Sequence, residues 1–171
     1  MPLLRADDSV LLVVDLQERL MPAIASADAV LDNTTRLIRA AARLGVDVRA
    51  TEQNPAGLGA TVADVAALLP RPAELKTSFG AGIDPGTGTV IITGCEAHVC
   101  VLQTALALRA RGRDVAVVAD AVGSRAESDR ERALDRARAH GVDVVTAEMV
   151  MFEWLHDSDN PAFRDVLRII K

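Results

Sequence analysis

Short aliphatic runs alternate along the chain with stretches in which apolar residues recur at the helical period. The runs are Val10–Val14, Val46–Thr51, Val90–Thr93, Val115–Ala119 and Val142–Thr146. Continuous apolar runs of this length are typical of strands that are buried on both faces, as in a parallel sheet. Because strand and helix alternate throughout, we predict an α/β fold, in which a parallel sheet carries helices on both faces.

The helical pattern predicts the segments that connect these strands. The predicted helices are Ala29–Leu44, Val62–Leu69, a helix that begins near Val99, Glu127–Ala139, Glu148–Leu155 and Ala162–Ile170. Glu74–Lys76 is predicted to form a brief edge strand. Two polar or glycine-rich stretches, Glu52–Gly59 and Thr77–Gly88, are predicted to be loops, the second of them a mobile flap.

Polar residues stand where several of these strands end. Asp15 follows the first strand, Asp120 the strand Val115–Ala119, and Lys76 ends the edge strand. Ligands of open α/β sheets bind at the carboxyl ends of the strands, so this edge is the expected site of chemistry. For Asp15 the alternative is that it caps the segment that follows it.

Cys100 is predicted to lie in the first turn of the helix that follows Val90–Thr93 and Gly94. The positive end of a helix stabilises a thiolate, and its free amides can hold an oxyanion during acyl transfer. If the protein is an enzyme, we expect its nucleophile here. Lys76 and Lys171 are the only lysines, and an internal lysine in an arginine-rich chain suggests a compact ammonium that transfers a proton, although on this observation alone chance is the better explanation.

Composition narrows the function classes. The chain has 171 residues, which predicts one domain over residues 1–171, and its formal net charge of −5 argues against nucleic-acid binding. No apolar stretch is long enough to cross a membrane and the N-terminus lacks the pattern of a signal peptide, so we expect a cytoplasmic protein with no membrane partner.

No G-x-G-x-x-G follows the first strand, which disfavours a dinucleotide cofactor. Cys95 and Cys100 are not expected to form a disulfide.

Five stretches together resemble the isochorismatase-like cysteine hydrolases, and most closely the branch of isochorismatase domain-containing proteins. They are LLVVDLQERL, TEQNPAGLG, KTSF, GCEAHVCVLQTALAL and DAVGSR. The resemblance implies a three-layer α/β/α sandwich with a mainly parallel, Rossmann-like sheet of six strands in the order 3-2-1-4-5-6. It also implies a catalytic triad of Asp15, Lys76 and Cys100. A non-proline cis peptide would join Cys95 to Glu96, and the backbone N–H groups of Glu96 and Cys100 would form the oxyanion hole.

The same resemblance bears on metal, substrate and partners. Nicotinamidases of this superfamily carry a metal-binding Asp-x-His after the second strand, whereas this chain has Thr51-Glu52-Gln53-Asn54, so we predict no metal and no cofactor. True isochorismatases lack the nucleophilic cysteine, so their vinyl-ether reaction is not implied. The expected substrate is a small molecule with an amide-like C–N bond, and the expected assembly is a homo-oligomer, a dimer or larger. The segment between Phe79 and Val90 looks short, which would leave the pocket less covered.

Five further residues are candidates for the pocket lining: Gln17, Gln53, Phe79, Cys95 and His98. Packing is the simpler role for Cys95, and His98 lies too near Cys100 in sequence to form a pair with it on one helix face. The alternative function is a catalytically idle, oligomeric binding or scaffold protein, and redox sensing by the two cysteines is a third. A catalytic Cys100 should be alkylated quickly near neutral pH, and more slowly once Lys76 or Asp15 is changed.

Overall fold

A computed structural model of the chain describes residues 3–80, 82 and 85–171. Six parallel strands form one sheet in the order β3-β2-β1-β4-β5-β6. The strands are β1 Ser9–Val14, β2 Asp47–Gln53, β3 Glu74–Lys76, β4 Thr89–Cys95, β5 Val115–Gly123 and β6 Asp143–Val145. The predicted fold class and strand order are confirmed.

Seven α-helices are seen in the described residues, together with short turns of other helix types. The helices are α1 Ala27–Leu44, α2 Pro55–Leu58, α3 Ala63–Ala66, α4 Leu102–Ala110, α5 Glu127–Ala139, α6 Ala147–Leu155 and α7 Phe163–Ile170. Ala6–Asp8 and Met21–Ala23 form 3₁₀ turns, and Ala97–Val101 forms a π-helical turn that leads into α4. No helix in the described part of the chain is long and apolar enough to span a bilayer.

Alternate residues of the central strands enter two separate cores, one on each face of the sheet. Leu11 and Val13 of β1 pack with residues of α1, α6 and α7. Leu12 and Val14 point to the opposite face and pack with the π-helical turn, α4 and α5. Because both faces are covered, strands β1, β4 and β5 are apolar at most positions, which is the pattern that predicted them.

The strand order changes direction between β1 and β4, and this point fixes the place of the site. One crossover from β1 leads to β2 on one side and a later one brings β4 to the other, which opens a crevice at the carboxyl ends of the two strands. Gly94 near the end of β4 has a φ of +113°, and a Cβ there would lie 1.9 Å from the carbonyl oxygen of Val14. Only glycine allows β1 and β4 to approach so closely.

The structure differs from the predicted boundaries in three places. Strand β5 continues to Gly123, so Asp120 lies inside the strand instead of ending it, and its Oδ1 accepts a hydrogen bond from Ala147 N at the start of α6 (2.8 Å). The predicted helix at 62–69 is reduced to α3. The predicted loop at 52–59 begins with the end of β2 and contains α2. The predicted flap at 77–88, and the short segment between Phe79 and Val90, lie partly outside the described residues.

Candidate active site

Asp15 lies directly after β1 in a left-handed conformation, with a φ of +50°. Asparagine and aspartate adopt this conformation more readily than most residues, and it turns the chain sharply at the end of the strand. Its Oδ1 accepts a hydrogen bond from Thr51 Oγ1 at 2.7 Å. No helix begins at this point in the chain, so the alternative that Asp15 is a helix cap is wrong.

Lys76 reaches from the edge strand β3 to the end of β1, and its side chain is only 4% exposed. Its Nζ lies 2.7 Å from Asp15 Oδ2, and it also donates to the carbonyl oxygens of Ser78 (3.2 Å) and Phe79 (3.1 Å). An ammonium has three N–H donors, and these three acceptors satisfy all of them. Lys76 and Asp15 therefore form a buried ion pair whose lysine is fully hydrogen-bonded.

Cys100 lies in the π-helical turn between β4 and α4, not in the first turn of an α-helix as predicted. The amide of Val101 donates to the carbonyl oxygen of Glu96 at 3.2 Å, a spacing of five residues. In an α-helix the amide of Cys100 would occupy that acceptor. In the wider turn the carbonyl oxygen of Glu96 therefore accepts from Val101, and not from the Cys100 amide as it would in an α-helix. The cis peptide expected between Cys95 and Glu96 is present.

Burial and the two charges of the Lys76–Asp15 ion pair act on the Cys100 thiol. The pKa of Cys100 is raised to about 12, mainly by burial and then by the charge of Asp15, while the charge of Lys76 acts in the opposite direction. Burial, and the charge of Asp15 that opposes that of Lys76, therefore favour the thiol over the thiolate that the sequence predicted.

A cavity of about 330 Å³ opens onto this group. The lining residues are Asp15, Arg19, Leu20, Ala23, Gln53, Leu58, Phe79, Glu96, Val99, Cys100 and Arg125. Gln53 and Phe79, two of the five pocket candidates, are among them, and Phe79 is 54% exposed. Acid and sulfur thus share one small cavity at the carboxyl edge of the sheet, with the lysine directly behind the acid.

The other three pocket candidates, which are not among the described lining residues, have structural contacts instead. Gln17 is buried, and its Nε2 donates to the carbonyl oxygens of Gln53 (3.1 Å) and Gly59 (2.7 Å). Cys95 is fully buried in the core on the α1 face. His98 is half-buried, and its Nδ1 lies 2.9 Å from Ser124 Oγ. Their predicted pocket role stays a prediction that the lining of this cavity does not support.

Sequence reasoning missed four contributors. Thr51 supports Asp15 from β2, and register could have revealed it, since Thr51 pairs with Val14. The Glu96 side chain and Arg125 form an ion pair across the cavity wall, with Arg125 Nε 3.0 Å from Glu96 Oε2. Arg125 ends a stretch with a family resemblance but carried no predicted role. Arg19 likewise lies in one of the five stretches, LLVVDLQERL, but carried no predicted role.

The donor set offers no metal site in the part of the chain that the structure describes. No group of three or more His, Cys, Asp or Glu side chains there is arranged to hold an ion. The acids of the lining are instead paired with cations, Asp15 with Lys76 and Glu96 with Arg125.

Comparison with known proteins gives the family. The model of the isochorismatase domain matches residues 75–149. Isochorismatase domain-containing protein 2 of Danio rerio is 37% identical over 171 residues, which cover 95% of this chain and 86% of the relative. The chain belongs to the isochorismatase family. Isochorismatase domain-containing protein 1 of Danio rerio is also 37% identical, but there the matched region is 61% of the relative's length.

Solved structures agree with this assignment. A structure described as MAR1 ribonuclease from Caenorhabditis elegans has a TM-score of 0.95 and 37% identity, covering 99% of this chain and 92% of the other. The YcaC product of Escherichia coli, described as an octameric hydrolase of unknown specificity, has a TM-score of 0.87 and 25% identity, covering 98% of this chain and 96% of its own. The isochorismatase fold is therefore shared along nearly the whole chain.

Proposed function

We propose that this isochorismatase-family protein is a cysteine hydrolase that cleaves a small amide-like C–N bond through a thioester acyl-enzyme. Cys100 is the nucleophile, Asp15 the general base and acid, and Lys76 the group that holds Asp15 in place. One observation carries the proposal. Asp15, buried and paired with Lys76 at 2.7 Å, lines the same small cavity as Cys100, and the size of this cavity suits a small molecule.

Acylation begins from the thiol, because the raised pKa of Cys100 leaves little thiolate at neutral pH. Asp15 takes the proton as sulfur attacks the carbonyl carbon, so the S–C bond forms while the S–H bond breaks. Asp15 then gives this proton to the nitrogen, the C–N bond breaks, and the amine or ammonia leaves. The product is a thioester on Cys100.

Deacylation repeats the proton transfers with water in place of the thiol. Asp15 takes a proton from water as its oxygen attacks the thioester carbonyl, and the proton returns to sulfur as the C–S bond breaks. The acid product leaves, and the thiol and carboxylate are restored. Lys76 keeps its three acceptors throughout and lowers the cost of the charge that forms on sulfur.

The oxyanion of each tetrahedral intermediate needs donors that are not already paired. We propose the backbone N–H groups of Glu96 and Cys100 for this role. The π-helical turn supports the assignment, because the carbonyl oxygen of Glu96 accepts from Val99 and Val101 and not from Cys100.

The direct test is the mass of the intact protein after incubation with a panel of small amides. An acyl adduct on the wild-type chain is expected, and Cys100→Ala should abolish both the adduct and turnover. Cys95→Ala serves as the matched control, since Cys95 is buried in the opposite core and should leave the adduct intact. Turnover retained by Cys100→Ala would reject the mechanism.

Two other functions have some support. The raised pKa of Cys100 favours the idle binding or scaffold protein, for which the amide panel would give neither adduct nor product. The relation to a structure described as a ribonuclease makes RNA a second candidate substrate. The net charge of −5 and the small cavity favour a small molecule, and an assay with single-stranded RNA distinguishes the two.

We propose further that the protein is a cytoplasmic homo-oligomer. Both cysteines are free thiols, the state that a reducing compartment maintains. The Escherichia coli relative is described as octameric, and Leu75 and Phe79 expose large apolar surfaces near the cavity. Light scattering should therefore give a multiple of the 18.1 kDa chain mass, and a mass of 18.1 kDa would contradict the proposal.

A further inference from the structure

The charges that line the cavity do not cancel. Of its two carboxylates, Asp15 is paired with Lys76 and Glu96 with Arg125. The remaining charged residue of the lining is Arg19, and no carboxylate of the described residues lies within ion-pair distance of it. The cavity therefore carries one positive charge for which the described chain supplies no counterion.

Arg19 is also held in place from one side only. Its Nη1 donates to the carbonyl oxygens of Ala56 (3.2 Å) and Gly57 (3.1 Å), which fixes the guanidinium against α2. The other N–H groups of the fork have no acceptor among the described residues. A planar guanidinium with free donors matches the geometry of a carboxylate, which it binds through two parallel hydrogen bonds.

We propose that the substrate carries a carboxylate that Arg19 binds while its amide faces Cys100, an assignment that rests on the proposed function. The cavity is small enough to require both groups on one compact molecule, since 330 Å³ is near the lower end of ligand pockets, which span about 300–1,000 Å³. Leu20, Leu58 and Val99 line the same space and pack against the short apolar link between the two groups. Arg19 is then the residue that selects acidic amides over neutral ones.

The test compares two ligands that differ in one end group, succinamate with its carboxylate and the neutral diamide succinamide. Binding is measured by calorimetry to the full chain carrying Cys100→Ser, which keeps the shape of the site without the reactive sulfur. Succinamate should bind about tenfold more tightly than succinamide, as expected for one charge-assisted contact. This preference should decrease as salt is added, because Arg19 is exposed to solvent.

Three variants in the same background assign the preference. Arg19→Gln should reduce it to about twofold or less, whereas Arg19→Lys, which keeps the charge but not the fork, should retain part of it. Arg132→Gln is the matched control, because that side chain is 87% exposed on α5 and away from the cavity. If Arg19→Lys retains part of the preference that Arg19→Gln loses, the loss in Arg19→Gln results from the missing charge and not from a loosened loop.

Equal affinities for the two ligands, no measurable binding of either, or a preference that survives in Arg19→Gln would overturn the assignment. Binding to the serine variant needs no thiol chemistry, so this outcome is independent of the acyl-adduct experiment. An adduct without a preference for acidic amides would overturn the role of Arg19 alone. A preference without an adduct would leave Arg19 assigned and reject the cysteine mechanism.

Discussion

At the scale of single residues, the site depends on how two buried charges share one thiol. Asp15 and Lys76 are 1% and 4% exposed, so removing either partner leaves the other charged and unpaired in the interior. Breaking such a pair is expected to cost about 3–5 kcal/mol of stability. The two residues act on the sulfur in opposite directions, Asp15 raising and Lys76 lowering the pKa of Cys100. Their separate substitution therefore tests the mechanism as well as the fold.

Asp15→Asn should make Cys100 easier to alkylate while it destroys turnover. The substitution removes the charge that raises the thiol pKa, so we expect iodoacetamide to react about tenfold faster at pH 8, which corresponds to a decrease of one unit. Lys76→Met should slow the reaction. This corrects the earlier expectation that both changes slow alkylation.

The wild-type alkylation rate should depend strongly on pH. Only the thiolate reacts, and the pKa is about 12, so the rate should rise about tenfold per pH unit between pH 8 and 11. Cys100→Ser is the control for reaction at Cys95. A rate that is already maximal at pH 7 would contradict the resting thiol.

At the scale of elements, the site depends on how closely β1 and β4 approach at their carboxyl ends. Gly94 makes this contact, and the register of β4 with β5 shifts between Ile92 and Gly94. The shift lets β5 continue to Gly123 and pair with the end of β4. The apolar run Val115–Ala119 could not reveal this extension, because pairing with β4, and not local hydrophobicity, determines it.

Gly94→Ala should destabilise the protein by more than about 3 kcal/mol, because its Cβ would lie 1.9 Å from the Val14 carbonyl oxygen. Gly112→Ala is the matched control. That glycine also has a positive φ, +79°, but no atom lies within 4 Å of the added Cβ, so only the conformational cost of about 1–2 kcal/mol is expected. Urea unfolding of both variants measures the difference, and equal losses would show that the close contact is relieved by movement.

At the scale of the whole molecule, both thiols link stability to alkaline pH. Burial raises the pKa of Cys95, like that of Cys100, from 9.0 to about 12. The folded state therefore holds these protons more tightly than the unfolded state does. Stability is fully present below pH 9 and decreases as the pH rises towards 12, by up to about 1.4 kcal/mol per pH unit for each thiol.

Cys95→Ala tests this linkage. At pH 8 the variant should be less stable than the wild type because it leaves a cavity in the core. Between pH 9 and 11 the difference in free energy of unfolding between variant and wild type should decrease, since the variant has lost one of the two titrating thiols. The chain has no tyrosine that would titrate in this range. Val118→Ala, in the same core, is the control, and its difference in free energy of unfolding from the wild type should not change with pH. A difference for Cys95→Ala that does not change with pH would contradict the raised pKa.

Much of this architecture follows from the sequence because its signals are local. The aliphatic runs and helical periods predict the strands and helices, and a parallel sheet places strand-ending residues at one edge, which brings Asp15 and Lys76 together. Five short stretches carry the family resemblance, and with it Cys100, the strand order and the cis peptide. Each of these depends on residues that are neighbours in sequence or on a rule of sheet topology.

The remainder is decided only when distant segments pack. Whether the thiol is ionised depends on its burial and on the balance of two charges from β1 and β3. The π-helical turn, the extension of β5 and the positions of Gln17, Cys95 and His98 follow from contacts that no local pattern contains. That Arg19 is the charged residue of the lining without a counterion is evident only from the tertiary structure, in which Asp15 pairs with Lys76 and Glu96 with Arg125. These properties depend on which residues lie close together in space, and the separation of two residues along the chain does not predict how close they lie.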